Sequence, residues 1–251
     1  MENTLRRKLQ GRGPTFGSWV TVSHPVIAEY LAGLAFDWFV FDQEHSPLDA
    51  DTTQMMIQGM SARGGQEITP LVRVAWNDQV RIKKALDTGA HGLLIPMVNS
   101  ASDAQQAVAA CRYPPEGTRG CGPSRALLRD PEYLQTANEE ILVIVQIESE
   151  VAVENAAEIL STEGVDGYFL GPIDLSYSMG LSGDLSDEGL KRAIEHVRET
   201  GARLGVPGGI WQGAGKTVRD RVEEGWKMIA LGFDANYMLD GARAALDAVG
   251  R

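Results

Sequence analysis

The 251-residue sequence predicts a single α/β domain folded as a (β/α)₈ barrel. Three observations predict it. Apolar runs of strand length alternate with amphipathic stretches, eight of each. Short connections between them imply right-handed βαβ crossovers and a parallel sheet, which eight units close into a barrel. The length also matches the ~250 residues that one such barrel needs, and 43% hydrophobic content supplies its core.

The elements follow in order. Phe16–Val22 is the first strand, with Trp19 towards its end, and Pro25–Leu34 the first helix. Trp38–Asp42 runs straight into Gln43-Glu44-His45 and is followed by the helix Asp51–Arg63. Ile68–Val74 carries Arg73 behind Pro70-Leu71-Val72, ahead of the helix Gln79–Thr88. Gly92–Val98 and Ala101–Cys111 form the fourth unit. Ile141–Ile147 leads through Glu148 to Val151–Leu160. Gly167–Leu170 leads through Asp174 to Ser186–Gly201. Gly205–Ile210 with Gly215–Glu224, then Met228–Leu231 with Ala235–Val249, complete the set. The one long irregular insertion is 112–140. Pro114, Pro115, Gly117, Gly120, Gly122 and Pro123 forbid regular structure over its first half. Such segments serve as lids, binding loops or subunit contacts. No linker or second domain is expected within 1–251.

Charge and cysteine usage exclude several classes. A net charge of −11 argues against nucleic acid or an anionic membrane as the main partner. Residues 1–13 are polar and resemble no signal peptide, and no run reaches the ~20 apolar residues of a membrane helix. Cys111 and Cys121 form no Cys-x-x-Cys pattern, which fits free thiols in a reducing cytoplasm.

Ligands bind at the carboxyl ends of strands in a parallel barrel. Glu148 and Asp174, at the ends of adjacent strands, therefore set two hard oxygen ligands side by side, which suits a hydrated divalent cation. Arg73, inside an apolar strand, needs an anion: a structural carboxylate, a substrate carboxylate or a developing enolate. His45 is the natural proton carrier. Each residue has an ordinary alternative, as helix cap, salt-bridge partner or hydrogen-bonded structure. Four separate structural explanations are needed to dismiss four such residues at one end of four strands. His24 reads as a rim residue, and His91 and His196 as structural. Gly213-Ala214-Gly215-Lys216-Thr217 resembles the tail of a phosphate-binding loop, but Ile210 stands where that motif needs glycine, leaving a turn and helix start. The lysines (Lys8, Lys83, Lys84, Lys191, Lys216, Lys227) fall on helices, loops or a strand entrance, so Schiff-base chemistry is not expected.

Taken in order, these segments resemble the HpcH/HpaI aldolases, metal-dependent class II pyruvate aldolases on a (β/α)₈ barrel. The resemblance spans nearly the whole chain. It is carried by Phe41-Asp42-Gln43-Glu44-His45, Leu71-Val72-Arg73, Leu94-Ile95-Pro96-Met97-Val98, Tyr113-Pro114-Pro115-Glu116-Gly117-Thr118-Arg119-Gly120, Val145-Gln146-Ile147-Glu148 and Gly171-Pro172-Ile173-Asp174-Leu175-Ser176. It implies that Glu148 and Asp174 ligate Mg²⁺, Mn²⁺ or Co²⁺, that Arg73 stabilises the enolate charge, and that His45 moves the proton. It implies further that Asp87 orients His45, that Asp42 supports the same network, and that Gln146 contacts metal or substrate. The backbone from Gly171 through Pro172 and Ile173 to Asp174 is expected to hold the pyruvate carboxylate. Trp19 is expected to wall the aldehyde side, and Ile173 to narrow the pocket. The implied activity is reversible aldol cleavage of a 4-hydroxy-2-oxo acid to pyruvate and an aldehyde, in a homo-oligomer (trimer or hexamer) whose neighbour completes the site. The competing expectations are a CoA-thioester C–C lyase on the same barrel and a non-catalytic metabolite-binding barrel.

Overall fold

Strand residues in this chain are buried on both faces, the signature of a parallel sheet covered by helices. In the computed structural model, which describes residues 2–63, 67–213 and 215–250, eight parallel strands pair in sequence order and close into a barrel. They are β1 (Thr15–Val20), β2 (Trp38–Asp42), β3 (Thr69–Arg73), β4 (Gly92–Ile95), β5 (Leu142–Ile147), β6 (Gly167–Leu170), β7 (Gly208–Trp211) and β8 (Met228–Phe233). The helices are α1 (Thr4–Gln10), α2 (Pro25–Leu31), α3 (Ala50–Ala62), α4 (Gln79–Asp87), α5 (Ala101–Cys111), α6 (Ser124–Arg129), α7 (Tyr133–Glu140), α8 (Glu150–Glu154), α9 (Ala156–Leu160), α10 (Pro172–Ser178), α11 (Glu188–Leu204), α12 (Val218–Glu223) and α13 (Asp234–Asp247).

Alternation along the strands sorts the side chains into two clusters. Trp38, Val40, Leu71, Leu94, Leu142, Ile144 and Phe169 fill the barrel interior. Phe39, Phe41, Val72, Leu93, Val143, Val145 and Ile147 face the helices. Gly17 makes room for the Trp38 indole: a Cβ there would lie 2.0 Å from the ring. The expected eight-unit barrel is present, with four local differences.

The polar-looking amino terminus folds into α1. Asn3 caps it, and Leu5 and Leu9, one turn apart, close the bottom of the barrel as part of the interior cluster. The insertion lacks regular structure over its first half, as expected, and its remainder forms α6 and α7. Asn155 divides the expected Val151–Leu160 helix into α8 and α9. The seventh strand starts at Gly208 and not Gly205, because Gly205 adopts φ 72° to cap α11. At the phosphate-loop look-alike, Thr217 caps α12 in a reciprocal capping box with Asp220. Ala214 of that motif lies outside the described residues.

The insertion joins α5 to β5, so it lies at the amino-terminal end of the barrel. Buried Arg119 pins it there. The guanidinium donates to Asp87 (2.8 Å) and to the Tyr133 hydroxyl (2.9 Å), with its carbon 4.5 Å from the Tyr113 ring centre. α13 behaves differently from the other long helices: only Asp234 at its start is buried. Among the described residues, no helix is long and apolar enough to cross a membrane.

Candidate active site

Four strands deliver polar side chains to the carboxyl-terminal mouth. Asp42 ends β2 and is paired in register with Arg73, which ends β3. Arg73 donates from Nε to Asp42 Oδ1 (2.8 Å) and from Nη2 to Asp42 Oδ2 (2.7 Å), a planar two-point pair. Its Nη1 lies 3.2 Å from Glu44 Oε2. Its guanidinium carbon sits 4.4 Å from the Trp19 ring centre. Of the open alternatives, the structural carboxylate is present: Arg73 is held by Asp42 and Glu44 rather than by the expected metal pair. A planar group with five donors keeps further N–H bonds free for a ligand.

Asp42 also organises the turn after β2. Its Oδ1 accepts from the Glu44 amide (3.0 Å) and the His45 amide (3.4 Å), and the Ser46 hydroxyl donates to its carbonyl oxygen. The His45 ring is 61% exposed, with Nε2 3.8 Å from Glu44 Oε2.

Glu148 follows β5 and is buried. Its Oε1 accepts from the Met97 amide (2.8 Å), and its Oε2 accepts from Gln146 Nε2 (2.6 Å). Met97 reaches this position with φ 57°, a left-handed conformation uncommon outside glycine. Asp174 lies exposed in the first turn of α10. A Cβ built on Gly171 would lie 3.4 Å from Glu148 Oε2 and 3.5 Å from Asp174 Oδ2, so the two carboxylates converge on one small space above this glycine.

Burial dominates the electrostatics. It pushes Glu148 up to about 7, helped by the nearby charges of Glu44 and Asp174 and opposed by the Met97 N–H. Burial also pushes Glu44 up to about 7, with Arg73 opposing and Asp42 and Asp174 reinforcing. Four acids thus share the mouth with one arginine. Two buried oxygens here, Gln146 Oε1 and Glu44 Oε2, lack a hydrogen bond.

These residues fit a divalent cation held by two carboxylates, with solvent and substrate completing its sphere. Among the described residues there is no set of three or more His, Cys, Asp or Glu side chains arranged as an all-protein metal cage. A small hydrated cation such as Mg²⁺ asks for no such cage.

One expectation is not met within a single chain, and another changes. Asp87 ends α4, which runs from the mouth down to the opposite end of the barrel. There its carboxylate meets Arg119, and no Asp87–His45 ion pair exists within the chain among the described residues. The carboxylate cradle is also smaller than expected, because Gly171 N–H donates to the Ile147 carbonyl (3.1 Å) and Pro172 has no N–H. Only the amides of Ile173 and Asp174 remain for an anion at the start of α10. The Ile173 side chain stands at the rim, 46% exposed. Glu44 belongs to this site although the sequence suggested no role for it. The available signal was its place between Asp42 and His45 in a turn that already supplied both.

Opposite the acids, the mouth is aromatic. Trp19 stacks against Phe233 (6.1 Å) and meets Phe169 edge-on (5.8 Å), while Trp211 packs on Phe233 (6.3 Å).

Comparison with known proteins agrees with this geometry. The HpcH/HpaI aldolase/citrate lyase family model matches residues 15–240. The 4-hydroxy-2-oxo-heptane-1,7-dioate aldolase of Salmonella typhimurium is 40% identical over 248 residues, covering 97% of this chain and 93% of that protein. The crystal structure of an HpcH/HpaI aldolase/citrate lyase family protein from Burkholderia cenocepacia superposes with a TM-score of 0.93 at 34% identity, covering 99% of this chain and 100% of that one. An HpcH/HpaI aldolase from Desulfitobacterium hafniense gives 0.86 at 28% identity, covering 98% and 96%. The chain belongs to the HpcH/HpaI aldolase/citrate lyase family, a family of carbon–carbon lyases.

Proposed function

We propose that the protein cleaves a 4-hydroxy-2-oxo acid reversibly into pyruvate, or a close 2-oxo acid, and an aldehyde, with a divalent cation such as Mg²⁺, Mn²⁺ or Co²⁺ at Glu148 and Asp174. The observation that carries this is the convergence of those two carboxylates above Gly171, across the mouth from an arginine held rigidly by its neighbours. Bound there, the cation supplies Lewis acidity toward the keto oxygen.

The chain's own groups supply the rest. The Ile173 and Asp174 amides, at the positive end of α10, hold the 2-oxo acid's carboxylate. Arg73 directs its remaining N–H bonds at the oxygen that gains negative charge as the C3–C4 bond breaks. Asp42, Glu44 and Trp19 fix the guanidinium beforehand, so little reorganisation accompanies the reaction. His45, exposed beside the substrate space, takes the proton from the 4-hydroxyl and later returns one to C3. Gln146 keeps the Glu148 carboxylate oriented. The Trp19, Phe233 and Trp211 wall receives the aldehyde portion.

The assembly is proposed to be a homo-oligomer, a trimer or hexamer. α13 supports this, because Met238, Leu239 and Leu246 stand in solvent along a helix that a barrel of this type would pack away. Asp87 supports it too, since it can meet a His45 only across a subunit boundary. Both cysteines are free, which supports a cytoplasmic location.

Pyruvate release from a racemic 4-hydroxy-2-oxo acid, measured in EDTA and again after Mg²⁺ or Mn²⁺ is restored, tests the proposal. Activity lost with chelator and regained with metal is expected. Turnover that persists in EDTA would overturn the metal assignment, and turnover of CoA esters alone would shift the activity to thioester cleavage.

A further inference from the structure

At the amino-terminal end of the barrel, away from the mouth, lies a second cavity of about 90 Å³. Its floor is apolar, formed by Ile57 and Met60 of α3 and Ile68 before β3. Its polar wall carries Arg125 and Arg129, one turn apart on α6, and His91 before β4.

Among the described residues, no carboxylate pairs with the two arginines of this wall. Arg129 Nη1 donates to the Ser61 hydroxyl (2.6 Å), and neither arginine has an ion-pair partner among the described residues. Arg125 Nε is buried without a hydrogen bond. Burial and the neighbouring Arg129 both push Arg125 below the usual arginine range. Burial first, and then Arg129, push His91 down to about 4, so its ring is neutral at physiological pH. Asp130, also on the wall, already accepts the Glu132 amide (3.0 Å).

A protein of net charge −11 has abundant carboxylates for its surface arginines. Arg125, part-buried over an apolar floor beside a second guanidinium and with its Nε unbonded, is costly to hold there unless an anion arrives. Small-ligand sites combine an apolar lining with a few convergent polar groups, and paired guanidiniums match a carboxylate in geometry and charge. We propose that this cavity is a second ligand site that takes a small amphipathic carboxylate, its apolar tail on Ile57, Met60 and Ile68 and its carboxylate between Arg125 and Arg129.

Calorimetric titration of the full-length protein in EDTA with sodium butyrate tests this, with butyramide as the neutral comparator. Saturable binding of one butyrate per chain is expected, with no butyramide binding. Arg125→Gln and Arg129→Gln should each weaken butyrate about tenfold, the loss of one charge-assisted hydrogen bond. Glu148→Gln at the mouth should leave butyrate binding intact. Arg129 is exposed, so its variant keeps the test open even if Arg125→Gln fails to fold. No saturable heat, equal binding of butyramide, or binding lost in Glu148→Gln and retained in the arginine variants would overturn the proposal. Tighter binding of inorganic phosphate than of butyrate would overturn the assignment of an apolar tail.

Discussion

The floor of this barrel beneath β5 and β6 and the mouth above it treat carboxylates in opposite ways. At the amino-terminal end beneath β5 and β6, Asp166 accepts from Arg6 (2.8 Å), from Arg112 (3.4 Å) and from the Val143 amide (2.9 Å). Asn3 spends its side-chain amide on the His91 and Glu140 carbonyls, and α1 seals the interior. At the mouth, two glutamates are pushed up to about 7 and buried oxygens lack hydrogen bonds. The same eight strands support both ends, so the difference lies in what the loops deliver. The floor beneath β5 and β6 is closed for stability. The mouth is left electrostatically short of positive charge, which is the condition for recruiting a cation and, only through it, an anionic substrate.

The largest effect expected from breaking this contrast is at the mouth. Asp174→Ala should abolish metal-dependent turnover, and full activity would refute the site. Glu148→Gln should also abolish turnover, yet raise the melting temperature in EDTA above pH 7 because it removes a carboxylate from a crowded cluster. Next, Arg73→Ala should lower kcat by about 10²–10³, the scale for one fixed donor to a developing oxyanion, with metal affinity retained in calorimetry. Parallel loss of metal binding would reassign Arg73 to structure.

At the closed end, Leu5→Ala should cost about 2–5 kcal/mol in denaturant unfolding while kcat of the folded fraction stays unchanged. A drop in kcat at constant stability would show that the two ends are coupled. The smallest effect concerns pH. Glu148 has a folded pKa raised from 4.5 to about 7, so its protonated form favours the fold. That contribution is complete below about 4.5 and is lost as pH rises through about 7. Melting in EDTA should therefore weaken over this window, and added Mg²⁺ should reverse most of the loss at the alkaline side. A melting profile flat from pH 5 to 8 would contradict the burial of Glu148.

Most strands were legible as dense apolar runs, the glycine-rich β7 least sharply, and Glu148, Asp174 and Arg73 were legible as polar residues placed where such runs end. α1 was not, because two leucines among polar neighbours carry little helical signal until Asn3 and the open barrel floor are in place. The Met97 amide was invisible for a related reason: a backbone N–H reveals its direction only once φ is known. That Asp87 lies far from the His45 of its own chain was not legible in the residues alone, because it follows from helix direction. The last residue of α4 necessarily lies at the end of the barrel opposite the mouth. Glu44 went unassigned because no pattern of residue types announces that burial will crowd it against Arg73.

Arg119 has a consequence for traffic through the site. Clamped between two tyrosines and tied to Asp87, it makes the 112–140 segment a splint on the barrel's underside rather than a door over its mouth. Substrate exchange in a single chain therefore does not wait on this segment to swing. A protease digest that leaves 112–140 intact while the enzyme turns over would be the outward sign of that rigidity.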